Sequence, residues 1–147
     1  MNPQEFPDVV RYLELARHDA QVLDSLTEVA ALKSPQQDVS DWQVTLLFYV
    51  CCISVKAVGR ALGRSLHDHY EVRQFLNTEQ RLLLIARPYR HIEEASRNAR
   101  YEGERFDRAF FRNRLAPHFR AVWAKVVEVL TAEGVLSIGG MDPVVLR

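Results

Sequence analysis

Residues 41 to 62 read DWQVTLLFYVCCISVKAVGRAL, and the middle of this stretch is apolar on nearly every face of a helix. A helix with no polar face is one surrounded by its neighbours. The spacing therefore predicts the central helix of an all-helical domain, ending at Gly63 because glycine is the usual terminator just past a helix end. Its most apolar window, Leu46 to Val55, is followed at once by Lys56 and falls short of the roughly twenty residues that cross a bilayer. No membrane segment is expected. Cys51 and Cys52 are adjacent within the run, where side chains diverge in a way that disfavours a mutual disulfide. They read as buried free thiols of a reducing compartment, and the acid-bearing N-terminus lacks the basic-then-apolar pattern of a signal peptide. A cytoplasmic protein is expected.

Outward from this helix, the apolar spacing stays helical. Phe6, Val9, Leu13, Ala16, Ala20, Leu23 and Ala30 step mostly by three and four and make one stripe on a first helix of about twenty-five residues. Lys33 to Val39 (KSPQQDV) is a polar loop with Pro35, and Ser40 followed by Gln43 has the form of a capping box. Beyond Gly63 the segment GRSLHDHYEVRQFL, residues 63 to 76, is polar and basic. Asn77 with Gln80 suggests another cap, and Pro88, which removes a backbone donor, is expected to divide a short helix near 78 to 86 from a longer one running to about Tyr101. Asp107 is placed to cap a last helical region reaching about Glu133, interrupted near Pro117, with Leu115, Phe119, Val122, Val126 and Leu130 inward and Gly134 as its end. The expected architecture is one domain, residues 1 to 134, an up-and-down four-helix bundle, followed by an irregular C-terminal tail, residues 135 to 147.

A length of 147 residues, 48% hydrophobic and 26% charged, suits a single core and excludes collagen-like and disordered classes. Nineteen basic residues balance nineteen acidic ones, so there is no global positive field of the kind that holds a constitutive duplex-DNA binder. Residues 1 to 44 nevertheless hold eight acids and three bases, and residues 45 to 100 nine bases and five acids. Any anion site is therefore expected in the middle of the chain. Sixteen of the nineteen bases are arginine, whose planar fork suits phosphate and carboxylate.

Asp41, Trp42, Phe48, Tyr49 and Ala57, then His69 and Arg73, then Tyr89, Ile92, Ser96 and Ala99-Arg100-Tyr101, together resemble the HEPN-like group of small helical proteins. Ile53 stands where that group is expected to carry a histidine, four residues after Tyr49. The resemblance implies a four-helix bundle that often dimerises, and in some members a metal-independent endoribonuclease of a toxin or defence system. The family motif is an arginine followed, after four to six residues, by a histidine. Its chemistry needs a guanidinium on the scissile phosphate and an imidazole to move the proton of the 2′-hydroxyl or of the leaving oxygen.

Arg11 with His18, Arg60 with His67, Arg64 with His69, and Arg112 with His118 meet that spacing. Two of these are the candidate catalytic sets. Arg112, Asn113 and His118 carry the asparagine after the arginine, and Pro117 places His118 at a fresh helix start. Arg64 and His69 lie in the segment that carries the resemblance, with His67, Arg73, Arg100 and Tyr101 as candidate binding residues. The competing reading of that segment is structural, with His69 and Arg73 tying it to the next helix through Tyr89 or Glu93. No cofactor and no metal is expected, because His67 and His69 lack the further ligands of a zinc site. RNA or a nucleotide, a second copy of the chain, and a cognate antitoxin or other protein are the expected partners. A non-catalytic binding or assembly module is the alternative function.

Overall fold

A computed structural model describes residues 7 to 32 and 38 to 135 of the chain. It is all-α, with no strand among the described residues. Five helices carry the fold: α1 (Pro7–Leu32), α2 (Ser40–Ala61), α3 (His69–Thr78), α4 (Leu83–Tyr101) and α5 (Ala116–Ala132). A 3-10 turn, Gln80–Leu82, leads into α4, and a helical turn, Arg108–Phe110, with a π segment, Phe111–Leu115, leads into α5.

α2 lies at the centre and packs against α1, α3, α4 and α5. Its length and composition would suit a membrane span, yet most of it is buried by the other helices. Val44, Leu47, Phe48, Val50, Val55 and Val58 are all essentially inaccessible, which is how an apolar helix of this kind satisfies every face in one domain. α1 covers one side through Val9, Leu13, Ala16, Ala20 and Leu23, tied at one end by Arg60 to Asp8 and at the other by Gln43 donating to Thr27 Oγ1 at 3.1 Å. α4 faces α2 through Tyr89 and meets α5 where His91 and His118 stack. Leu115 of the π segment and Phe119, Val122, Val126 and Leu130 of α5 turn inward, as the spacing predicts. Both cysteines are buried and unpaired, and burial pushes both thiols up.

Gly63 ends α2 with φ of +79°, a left-handed backbone that glycine adopts without steric cost. Gly59 has a different reason to be glycine. The chain folds back on it, with Arg64 N donating to Gly59 O at 2.8 Å, and a Cβ there would stand 2.8 Å from Leu66 Cδ1.

Several local expectations are corrected. Ser40 is the first residue of α2 and caps nothing: its backbone N–H donates to Asp38 Oδ1 at 2.8 Å, and its Oγ accepts from the buried Phe106 N–H at 3.1 Å. Gln43 reaches across to α1 instead of back to the cap. The polar stretch after Gly63 contains α3, started by Asp68, whose Oδ1 accepts from Glu71 N at 2.8 Å while Glu71 Oε2 accepts from His67 N at 2.6 Å. Helix and proline are also arranged differently from the expected division near 78 to 86, because α4 starts at Leu83 and Pro88 sits inside it. The missing donor of Pro88 falls opposite the carbonyl of Leu84, whose side chain is 82% exposed, so water can serve that carbonyl. Asp107 does cap the last helical region, accepting from Phe110 N at 2.7 Å, and Gly134 follows its end with φ of +78°. The expected tail lies outside the described residues except for Val135, which is buried.

Candidate functional site

Two clusters gather the chemically capable side chains, and α4 contributes to both. The first surrounds Phe48. The ring of His69 lies 5.3 Å from that of Phe48, those of Tyr49 and Tyr89 lie 5.8 Å and 5.9 Å away, and the Arg100 guanidinium carbon stands 5.8 Å from the Phe48 centroid. Arg100 also stands 5.2 Å over the exposed Tyr101 ring, held by Nε donating to Ser96 O. His69 Nδ1 lies 3.8 Å from Cys52 Sγ. Beside it, Arg73 donates from Nη1 to both carboxylate oxygens of the largely buried Glu93, each at 3.2 Å. Tyr89 Oη and Ser96 Oγ are buried with no hydrogen-bond partner, and burial, with Cys52 and Glu93 adding to it, pushes the Tyr89 hydroxyl far up.

His69, Tyr89 and Arg100, scattered along the sequence, thus meet around the Phe48 ring, while Ser96 contacts Arg100 and Arg73 contacts Glu93. Their contacts are mostly those of a fastening. Arg73 is bridged to Glu93, as the structural reading of this segment requires. Arg64 goes elsewhere, its guanidinium carbon 5.3 Å over the Phe75 ring, so Arg64 and His69 are held by different partners. His67 is exposed, and its N–H is taken by Glu71.

The second cluster lies between α4 and α5. The His91 and His118 rings are stacked, with centroids 4.6 Å apart and planes 16° from parallel. His118 is half-buried at the start of α5, where Pro117 occupies the first turn. Burial, the neighbouring His91 and the Arg87 charge all lower the His118 pKa from its ordinary value of 6.5. Arg87 and His91 are one turn apart on the exposed side of α4, which is how a helix brings residues i and i+4 to one place. Arg112 and Asn113 are exposed on the π segment just before α5, a local geometry that is over-represented at functional sites. The contacts of His118 are with α4, however, and not with Arg112.

An imidazole that is neutral at pH 7 accepts a proton, a second imidazole in contact with it can supply one, and a guanidinium beside them attracts phosphate. That is the chemistry this pair can perform. The arginine-before-histidine spacing pairs His118 with Arg112, whereas the ring of His118 stacks on His91 of another helix; the sequence signal for that neighbourhood was the Arg87-x-x-x-His91 spacing on one helix face.

Other arginines turn to carboxylates: Arg60 to Asp8, Arg81 to Glu79 and Glu133, Arg105 to Asp38 and Asp41. The described residues hold no group of three or more side chains placed to ligate a metal. Comparisons of the chain with protein-family models, with curated proteins and with solved structures each return no match.

Proposed function

We propose that the chain is a HEPN-like four-helix bundle, formed by α1, α2, α4 and α5, and that it cleaves RNA without a metal at the His91 and His118 pair. The observation that carries this reading is the stacked imidazoles at 4.6 Å, one with a lowered pKa, beside Arg87. Neutral His118 takes the proton of the 2′-hydroxyl, and the 2′-oxygen attacks the phosphorus. The 5′-oxygen leaves with a proton from the protonated form of His91. Arg87 faces the phosphate oxygens whose charge grows in the transition state. The products are a 2′,3′-cyclic phosphate and a 5′-hydroxyl. Under this reading Arg112 and Asn113 on the π segment hold the flanking strand. A toxin or defence role, with a cognate protein partner, follows from the resemblance alone.

The test is incubation of the purified chain with single-stranded RNAs in excess EDTA, with the product ends analysed. Cleavage should persist, give cyclic phosphate ends, and fall by about 10² to 10⁴ in His118→Gln and in His91→Gln, the usual contribution of a general acid or base. Cleavage that stops on chelation and returns with magnesium, or that survives the double substitution, overturns it. The bridging of Arg73, Arg60, Arg81 and Arg105 to acids favours the second reading, a non-catalytic helical module that recognises RNA, a nucleotide or a protein. In that case the histidine variants bind as the parent does and neither cleaves.

A further inference from the structure

From Arg108 to Val127 the chain holds five bases and no acid. The outward side of α4 adds exposed Arg87, Arg90 and Arg97 against one exposed acid, Glu94, while Glu93 turns to Arg73. The other acids of this neighbourhood are Glu102, Glu104 and Asp107 in the connecting loop, Asp107 being the cap that accepts from Phe110 N, and Glu128, paired with Lys125 at 3.0 Å. Residues 83 to 128 thus carry ten bases and six acids. α1, which packs on α2 and makes no extensive contact with α4 or α5 among the described residues, carries five acids and two arginines. A molecule of zero net charge therefore presents one basic side, which concentrates anions locally.

The cations of that side are not spent on the protein itself. Among the described residues Arg87, Arg90, Arg97, Arg108, Arg112 and Arg114 meet no carboxylate, whereas Arg11, Arg60, Arg73, Arg81 and Arg105 each do. The stacked His91 and His118 join the two groups, because Arg87 precedes His91, and Arg114 precedes His118, by about one turn. Exposed rings stand among the arginines. Tyr101, one turn after Arg97, is 73% exposed with the Arg100 guanidinium carbon 5.2 Å from its centroid. Phe110, between Arg108 and Arg112 in the chain, is 37% exposed and stacks on Phe106 at 4.9 Å. Cations interleaved with open aromatic faces hold the backbone and the bases of a single strand together, whereas an acidic peptide has use only for the cations.

We infer that the outward side of α4 and the segment from Arg108 to Arg114 form a binding track for single-stranded RNA that passes over the His91 and His118 pair. The phosphates lie along the arginines, and bases stack on Tyr101 and Phe110. Arg90, Arg97, Arg108 and Tyr101 thereby hold the strand without taking part in any chemical step. The inference rests on the cleavage reading for the choice of RNA, and the track itself is open to test with a strand that cannot be cleaved.

Fluorescence anisotropy of the full chain with a labelled 2′-O-methyl oligoribonucleotide, whose 2′-oxygen is blocked as a nucleophile, provides the test. Contact with three or four phosphates gives a slope of log affinity against log salt of about −2 to −3. Arg97→Gln and Arg112→Gln should each weaken binding about threefold or more and make that slope shallower by about 0.7. Tyr101→Ala should weaken binding about tenfold with the slope unchanged. All three side chains are exposed, so the melting temperature should stay where it is. Arg17→Gln on α1 is the control and should leave the affinity unaltered. Absence of binding at low salt, or equal losses in Arg17→Gln and Arg112→Gln, overturns the inference. So does polyglutamate that binds as tightly as the oligonucleotide and ignores Tyr101→Ala, since that result assigns the surface to an acidic protein. Binding as expected by a chain that cleaves no RNA keeps the track and removes the cleavage reading, and cleavage by a chain that fails to hold this strand does the reverse.

Discussion

Phe48→Ala is the substitution that asks most of the fold. The side chain is fully buried on the central helix, and three aromatic or imidazole rings and one guanidinium stand within 6 Å of its centroid. Truncation loses the transfer free energy of the ring and leaves a cavity between α2, α3 and α4 that packed helices close only in part. For a buried phenylalanine the combined cost is about 3 to 5 kcal/mol, a large share of the 5 to 15 kcal/mol that holds a domain together. A chain of this length melts about 2 to 4 °C lower per kcal/mol, so a fall of roughly 6 to 20 °C is expected. Thermal melts by circular dichroism and urea unfolding at one pH provide the assay. The urea midpoint should drop with the slope unchanged. Trp42→Ala is the control, since that ring is 63% exposed on the same helix, and surface positions of that kind usually move stability by about 0.5 kcal/mol or less. A Phe48→Ala protein that melts within about 3 °C of the parent would refute the enclosure of α2 and, with it, the convergence of α3 and α4 on this ring.

Ser40→Ala leaves the buried Phe106 N–H without its acceptor, at a cost of about 1 to 3 kcal/mol, and hydrogen exchange at Phe106 should accelerate more than at residues of α5. The lowered pKa of His118 means that the unfolded chain takes up a proton first as pH falls. Stability is therefore full above pH 6.5 and declines as pH drops below it through the folded value; melts between pH 7.5 and 5 should show this decline in the parent and less of it in His118→Asn, and parallel slopes in the two would be the contrary result.

The long helices were legible because burial on one side imposes a period on the sequence. α1 and the inward face of α5 follow from that period, and α2, enclosed on nearly every side, from its unbroken apolar run. α3 was missed for a physical reason: only Val72, Phe75 and Leu76 of its ten residues are buried, too few to stand out in a polar segment. The Asp68 and Glu71 pair that starts it was readable as a cap, with an aspartate in the usual serine or threonine place. Pro88 misled because a missing donor matters only where its carbonyl partner is cut off from water, and solvent exposure is not written in a local pattern. Ser40 misled in the converse way. Its residue type suits a cap, but a buried amide sixty-six residues further on makes the stronger claim on its hydroxyl.

The candidate site shows the same division. A motif defined by spacing along the sequence pairs His118 with an arginine close by in the chain, but the ring that touches it is twenty-seven positions away on another helix. What makes the separation of roles testable is the geometry of α4. Tyr89, Ile92, Ser96 and Ala99 are buried, and Tyr89 lies against Phe48 on α2. Arg87 and His91 are exposed, and His91 meets α5. Residues two positions apart, Tyr89 and His91, therefore stand on different sides of one helix, about 200° apart in rotation. Removing His91 takes nothing from the core, so a loss of activity in that variant reports on chemistry. Removing Tyr89 does the opposite, opening the core while leaving the two imidazoles stacked. A site whose loss and a fold whose loss can be produced by neighbouring residues on one helix is a favourable arrangement for deciding between an enzyme and a scaffold.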